Sequence, residues 1–492
     1  MVWVSMTNAS LDTRPLVWVI ALALVGCAVT ILSGMAAALT YTGFEPVLRS
    51  LGFTLQHFRS VHDTFAFGWV FLGGAAVVYF YLYREYGEPS AAARKRIVWN
   101  VILWTVAGVG IVVTLLAGQF SGREYLGHHP IFSLLIIAGW FLFARNYFER
   151  SRRLKGRPVY IYMWSVGILL FFVTFIEGHL YLLDAVSDRP VRDLAIQWKS
   201  AGTLVGAFNQ IAYGSCMYIA CCINGDDKYA YSRPAFALLW VGLLNTFANY
   251  GHHTYHLPQS AWIHWISFIV SMLEIVILAK VFLDLLALRR ASAATNDFRV
   301  SDGFLRSTTA WIFLMLTLSL LISVPPLNAL IHGTHVVVAH SMGSMIGIDS
   351  MILWAAISYL LWYLVGADHP VVSGARVRLA IPFINVFLLV FWLAYLIRGL
   401  AAGWIQYFGP SAPDFSVLIE DTFPLVMVVS GFGLAVTVLW MLAHWLVALG
   451  PLARATTVTA ARGARPAESL RPIEAVTVIA SEASGDKSDA GT

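Results

Sequence analysis

Charge is what this sequence has least of: Asp, Glu, Lys and Arg make up 12% of 492 residues, about half the share of a soluble domain. With a mean hydropathy of +0.72, water is excluded as the main solvent. Cysteine is scarce too. The four present, Cys27, Cys216, Cys221 and Cys222, all lie inside apolar runs, so neither a disulfide framework nor a zinc spacing is implied, and no CxxCH motif for covalent cofactor attachment occurs. The runs do not alternate polar with apolar residues, which argues against a membrane barrel. No internal repeat and no soluble domain is visible.

What is there is a series of twelve apolar runs, at about 16–41, 60–83, 97–119, 130–148, 159–183, 197–223, 234–256, 261–287, 307–331, 333–365, 379–401 and 422–449. Each is long enough to cross a hydrocarbon core of about 30 Å. Lipid cannot satisfy exposed backbone, so helices are expected, giving an all-α polytopic membrane protein. The first run is too long for a signal-peptide core and is read as a retained span. Residues 1–451 form one transmembrane domain. Residues 452–492 are rich in Ala, Ser, Glu, Gly and Thr and are expected to be a disordered tail.

Basic residues cluster in alternate loops: Arg94-Lys95-Arg96, Arg150 to Arg157 and Arg289-Arg290, with Arg454, Arg462, Arg465 and Arg471 after the last run. The loops after runs 7, 9 and 11 have almost none. The Lys/Arg bias puts the basic loops and both termini in the cytoplasm of a bacterial inner membrane. These loops account for the net charge of +5, so lipid rather than nucleic acid is the partner it implies.

Histidine is concentrated at one depth. His62 opens run 2, His252 and His253 close run 7, and His340 lies early in run 10. With this topology all four fall in the outer third of the membrane. A single membrane histidine is commonly a hydrogen-bonded packing residue. Four on three helices at one level form the layout a metal layer needs.

RSVHDTFAFGW around His62, NYGHHTYH around His252-His253 and IHGTHVVVAHSMG from Ile331 resemble the second, seventh and tenth helices of subunit I of the heme-copper oxidase superfamily. The resemblance covers roughly residues 15–450 and extends to the twelve spans. It implies two b-type hemes, noncovalently held, and a non-heme iron or copper bound by His252 and His253. His62 would bind the low-spin heme and His340 the reactive one. SMLEIVIL places Glu274 where the nitric oxide reductase branch has a glutamate that supports or binds its iron. Glu274 is therefore both a candidate ligand and a candidate proton carrier. This implies a respiratory electron-transport enzyme reducing nitric oxide to nitrous oxide. A terminal oxidase reducing O2, resembling cytochrome c oxidase subunit I, is the alternative, and a heme-bearing sensor or assembly subunit without turnover is a third.

The pattern departs from the family in three places. No histidine occurs between Ala185 and Gly251, so the sixth-helix ligand, expected near Ala201, is missing. Val205 and Asn209 stand where reductases carry glutamates, with Asn209 and Gln210 as polar substitutes or interhelical hydrogen-bonding residues. The tenth helix reads His340-x-Met342 instead of His-x-His. Residues i and i+2 on a helix point about 200° apart, so Met342 faces the low-spin heme, a role methionine can fill; His335 or His332 are the alternatives. Nothing marks an electron-accepting domain, which points to a separate cytochrome c-type subunit or donor on the outer face. Glu177 with His179, and Asp349 with Lys280 and Asp284, are either proton-path residues or paired and snorkelling side chains.

Overall fold

A computed structural model describes residues 12–454 except 124, 292–297, 367–368 and 412. All the secondary structure described is helical. We number the long helices α1 (Arg14–Leu39), α2 (Leu55–Tyr86), α3 (Ala91–Leu116), α4 (Pro130–Arg150), α5 (Val159–Glu177), α6 (Pro190–Asn224), α7 (Arg233–Ala248), α8 (Ala261–Ala291), α9 (Arg299–Ser323), α10 (His335–Val365), α11 (Ala375–Phe408) and α12 (Phe423–Arg454).

Every expected run is helical, but only ten of the helices found among the described residues are long and apolar enough to span on their own. Two differ from the sequence expectation. The 16 residues of α7 rise only about 24 Å, because the chain leaves the α-helix at Ala248 and finishes in a 3-10 turn, Asn249–His253. α6 is long, but its first turns are polar, with Arg192, Asp193, Gln197 and Lys199. α12 runs through Arg454, three residues past the expected domain boundary. The rest of the expected tail, from residue 455, lies outside the described residues.

The helices close into a ring: α1 packs on α2 and, at the other end of the chain, on α12, which packs on α11. α2 and α10 are the interior of this ring. Their most apolar stretches are 78% and 89% buried, against 22% to 28% for α3, α8 and the stretch containing α11. α6 touches both inner helices. Side chains on α2, α6 and α10 are thus shielded from lipid, which is where polar and metal-binding groups can be held.

Local sequence sets the phase of α10. Gly333 takes a positive φ of 76°, and Thr334 then caps the helix by accepting from the Val336 amide at 3.3 Å. Past Met342 the helix widens into a π-turn, Gly343–Ser350, a distortion common at functional sites.

A candidate heme and proton-handling site

His62 points from α2 toward α1. Its Nδ1 donates to the Thr30 carbonyl at 2.8 Å, which leaves Nε2 as the lone-pair nitrogen suited to iron. Gly34 makes room for this ring: a Cβ there would sit 2.9 Å from His62 Nδ1. A histidine oriented by a backbone carbonyl fits a heme ligand.

Across the interior, Trp69 Nε1 donates to Ser350 Oγ at 2.9 Å, tying α2 to α10. The two helices run parallel, with Gly73 against Leu353 and Phe80 against Tyr359 further along, so outward on both is toward the N-terminus. Counting back from that bond, His62 lies seven residues outward on α2, about 10 Å, and Met342 lies eight residues outward on α10, across the lower rise of the π-turn. The two therefore stand at one level. His335 lies seven α-helical residues, about 10 Å, further outward than Met342. His335 is also engaged elsewhere, accepting from Arg398 at 2.5 Å and stacking on Tyr395. The His332 ring lies 4.4 Å from that of His256. His340 has Nδ1 3.4 Å from Ser319 Oγ on α9, again leaving Nε2.

The 3-10 turn after α7 brings His252 and His253 together, with ring centroids 4.2 Å apart. His340 is within electrostatic reach of both. α6 does reach this pair, but with an aromatic: Trp198 stacks on His253 at 6.1 Å with 2° between the planes. Glu274 is not beside the imidazoles. Its carboxylate accepts from Asn245 Nδ2. Asn245 Oδ1 accepts from Ser271 Oγ at 3.3 Å, and Ser271 Oγ is 3.4 Å from His252 Nδ1. Among the described residues, no group of three or more His, Cys, Asp or Glu converges on a metal-sized site. The structure thus offers a non-heme metal two imidazoles. Glu274, expected as a third ligand, stands behind them at the far end of a hydrogen-bonded chain.

Next to Glu274 lies a cavity of about 20 Å³ between α6, α7 and α8, lined by Asn209, Gln210, Tyr213 and Asn245 among others. That is room for a water. The buried Gln210 Oε1 on its wall has no protein partner. α6 and α7 approach closely here because Gly206 lies against Thr246, small residues that let membrane helices touch.

Of the other ionisable residues named from the sequence, Asp349 has an Oδ1 without a partner, and Glu177, His179, Lys280 and Asp284 are paired. Lys199 donates to Glu177 at 2.5 Å. His179 and His128 share the Ser133 hydroxyl, at 2.7 and 3.0 Å. Lys280 bonds Asp284 at 2.6 Å on one face of α8. The cysteines are free, three of them buried. Asn245, Ser271, Trp198, Tyr213 and Trp69 were not singled out from the sequence; the one available signal was Ser271, which lies one turn from Glu274.

The sequence model of the family "Cytochrome C and Quinol oxidase polypeptide I" matches residues 14–436. No curated protein matches the sequence. Among solved structures, a heme-copper terminal oxidase dimer determined by cryo-electron microscopy superposes with a TM-score of 0.70 at 14% identity, covering 95% of this chain and 89% of that one.

Proposed function

The chain belongs to the cytochrome c and quinol oxidase polypeptide I family, and from that premise we propose that it is the catalytic subunit of a nitric oxide reductase. Its coarser identity is that of a multi-pass membrane oxidoreductase of the heme-copper respiratory type. The finer assignment rests on Glu274, a half-buried carboxylate linked to His252 through Asn245 and Ser271. Converting two nitric oxide molecules to nitrous oxide and water takes two electrons and two protons, and a carboxylate held near the site is suited to store one of those protons.

His62 and Met342 would hold a low-spin b heme, whose chemistry there would be electron transfer from a cytochrome c-type donor at the outer face. His340 would hold the second b heme, and His252 and His253 would face it as donors to a non-heme iron or copper. When bound, the hemes supply electrons and an iron that takes nitric oxide. The residues around them orient the ligands and exclude water. Reduction of O2 is less well supported. Tyr255, which follows the histidine pair by two residues, donates its hydroxyl to the Ser323 carbonyl at 2.6 Å and packs its ring on His264, so it is turned away from a role in O2 chemistry.

The test is a comparison of anaerobic nitrous oxide formation with O2 consumption by one purified preparation fed by reduced cytochrome c. Nitric oxide should be the faster substrate. Faster O2 reduction would assign the chain to the oxidases, and turnover of neither would make it a heme protein without catalysis.

A further inference from the structure

Hydroxyls inside α9 turn back onto its own backbone. Ser307, Thr308, Thr309 and Thr317 each donate to the carbonyl four residues earlier, the common habit of Ser and Thr within a helix. Ser319 reaches across to α10: its Oγ lies 3.4 Å from His340 Nδ1. Close packing fixes this contact. A Cβ at Gly347 would overlap the Trp311 ring, and one at Gly343 would overlap Met315 Sδ. Trp311, Met315 and Ser319 are spaced four apart on α9, and they meet Gly347, Gly343 and His340 of α10 in that order. The helices are therefore antiparallel along this row. Two glycines let them touch, and the next contact outward is the serine hydroxyl on the imidazole.

We propose that Ser319 is a positioning residue for His340 and sets how strongly that imidazole donates to iron. A hydroxyl facing Nδ1 accepts the ring proton there, which leaves the lone pair on Nε2 and holds the ring plane. A neutral hydroxyl at this distance is a weak acceptor, far weaker than a carboxylate. The imidazole stays neutral and a modest donor, which favours ferrous iron and raises the potential of the heme it binds. No covalent bond changes, and the proton stays on Nδ1. The proposal rests on His340 being a heme ligand, and not on which gas is reduced.

The heme-loaded protein would be reduced without substrate and its iron–histidine stretching band read by resonance Raman, beside a redox titration of the heme that binds carbon monoxide. Ser319→Ala removes the acceptor, so the band should move to lower frequency and the potential should rise. Ser319→Asp supplies a stronger acceptor and should do the opposite. Ser319→Thr keeps a hydroxyl and should restore both toward the unmodified values. A serine that only packs would not produce this ordered shift. An unchanged band and potential in Ser319→Ala and Ser319→Asp, with heme retained, overturns the proposal. His340→Ala separates the premise: if it keeps the carbon monoxide-binding heme, the ligand assignment has failed, and the proposal with it. If that heme is lost there and the Ser319 variants still show no shift, the proposal alone has failed. No turnover is involved, so failure of the nitric oxide assignment leaves these readings intact. If Ser319→Asp does not take up heme, the contrast between Ser319→Ala and Ser319→Thr decides.

Discussion

Trp69 and Ser350 are joined by a hydrogen bond of 2.9 Å between the two most buried helices, which sets the register of α2 against α10. It sets His62 level with Met342 and leaves His335 and His332 too far out. Met342 is therefore the expected second ligand of the low-spin heme.

A thioether favours ferrous iron, so this heme should have a higher potential than a bis-histidine heme. Met342→His should keep the heme low-spin, lower its potential and remove the methionine-to-iron charge-transfer band from the near-infrared spectrum of the oxidised protein. A bis-histidine spectrum in the unmodified protein would exclude Met342.

The contact between Trp198 and His253 leads to a gain-of-function expectation. α6 faces the histidine pair at this turn, and the side chain it presents cannot bind metal. Trp198→His would add a third imidazole there. Iron or copper occupancy per heme, measured by elemental analysis, should rise, and should not rise in Trp198→Phe. Equal occupancy in both would show that this turn of α6 does not face the site.

Much of this was legible in the sequence because lipid makes polar residues conspicuous. The helices follow from run length, and His62, His252, His253, His340 and Glu274 stand out as costly residues in apolar runs. What the sequence did not reveal are relations between helices. Ser271 and Asn245 are ordinary membrane residues until the fold puts one between Glu274 and His252. The 3-10 turn that shortens α7 was hidden because NYGHH carries no proline to mark a break. A π-turn shifts the phase of α10 after Met342, and no residue pattern announces it.

Asn245 should be a positioning residue for Glu274. Asn245→Leu leaves the carboxylate without its donor, at a cost of about 1–3 kcal/mol. Thermal stability should fall modestly, turnover should fall strongly and its pH profile should move, while Asn245→Gln restores part of both. A lowered melting temperature with an unchanged pH profile would make the contact merely structural.

Burial holds the His128 imidazole, in the loop before α4, down at about 3, with His179 and His129 adding to the effect. The folded protein keeps this ring neutral, whereas the unfolded chain protonates it below about 6.5. Its stability contribution is complete above that value and is lost as pH falls, by up to about 1.4 kcal/mol per pH unit. His128→Asn should flatten the decline in melting temperature between about pH 6.5 and 5. An unchanged slope would place the sensitivity elsewhere.

The central claim is that α2 and α10 hold two hemes between them, and a pyridine hemochrome assay on the purified protein and two variants tests it most directly. The unmodified chain should yield two noncovalent b hemes. His340→Ala should lose the one that binds carbon monoxide and keep the other, and His62→Ala should do the reverse. One heme or none in the unmodified chain, or variants that retain both, would contradict it.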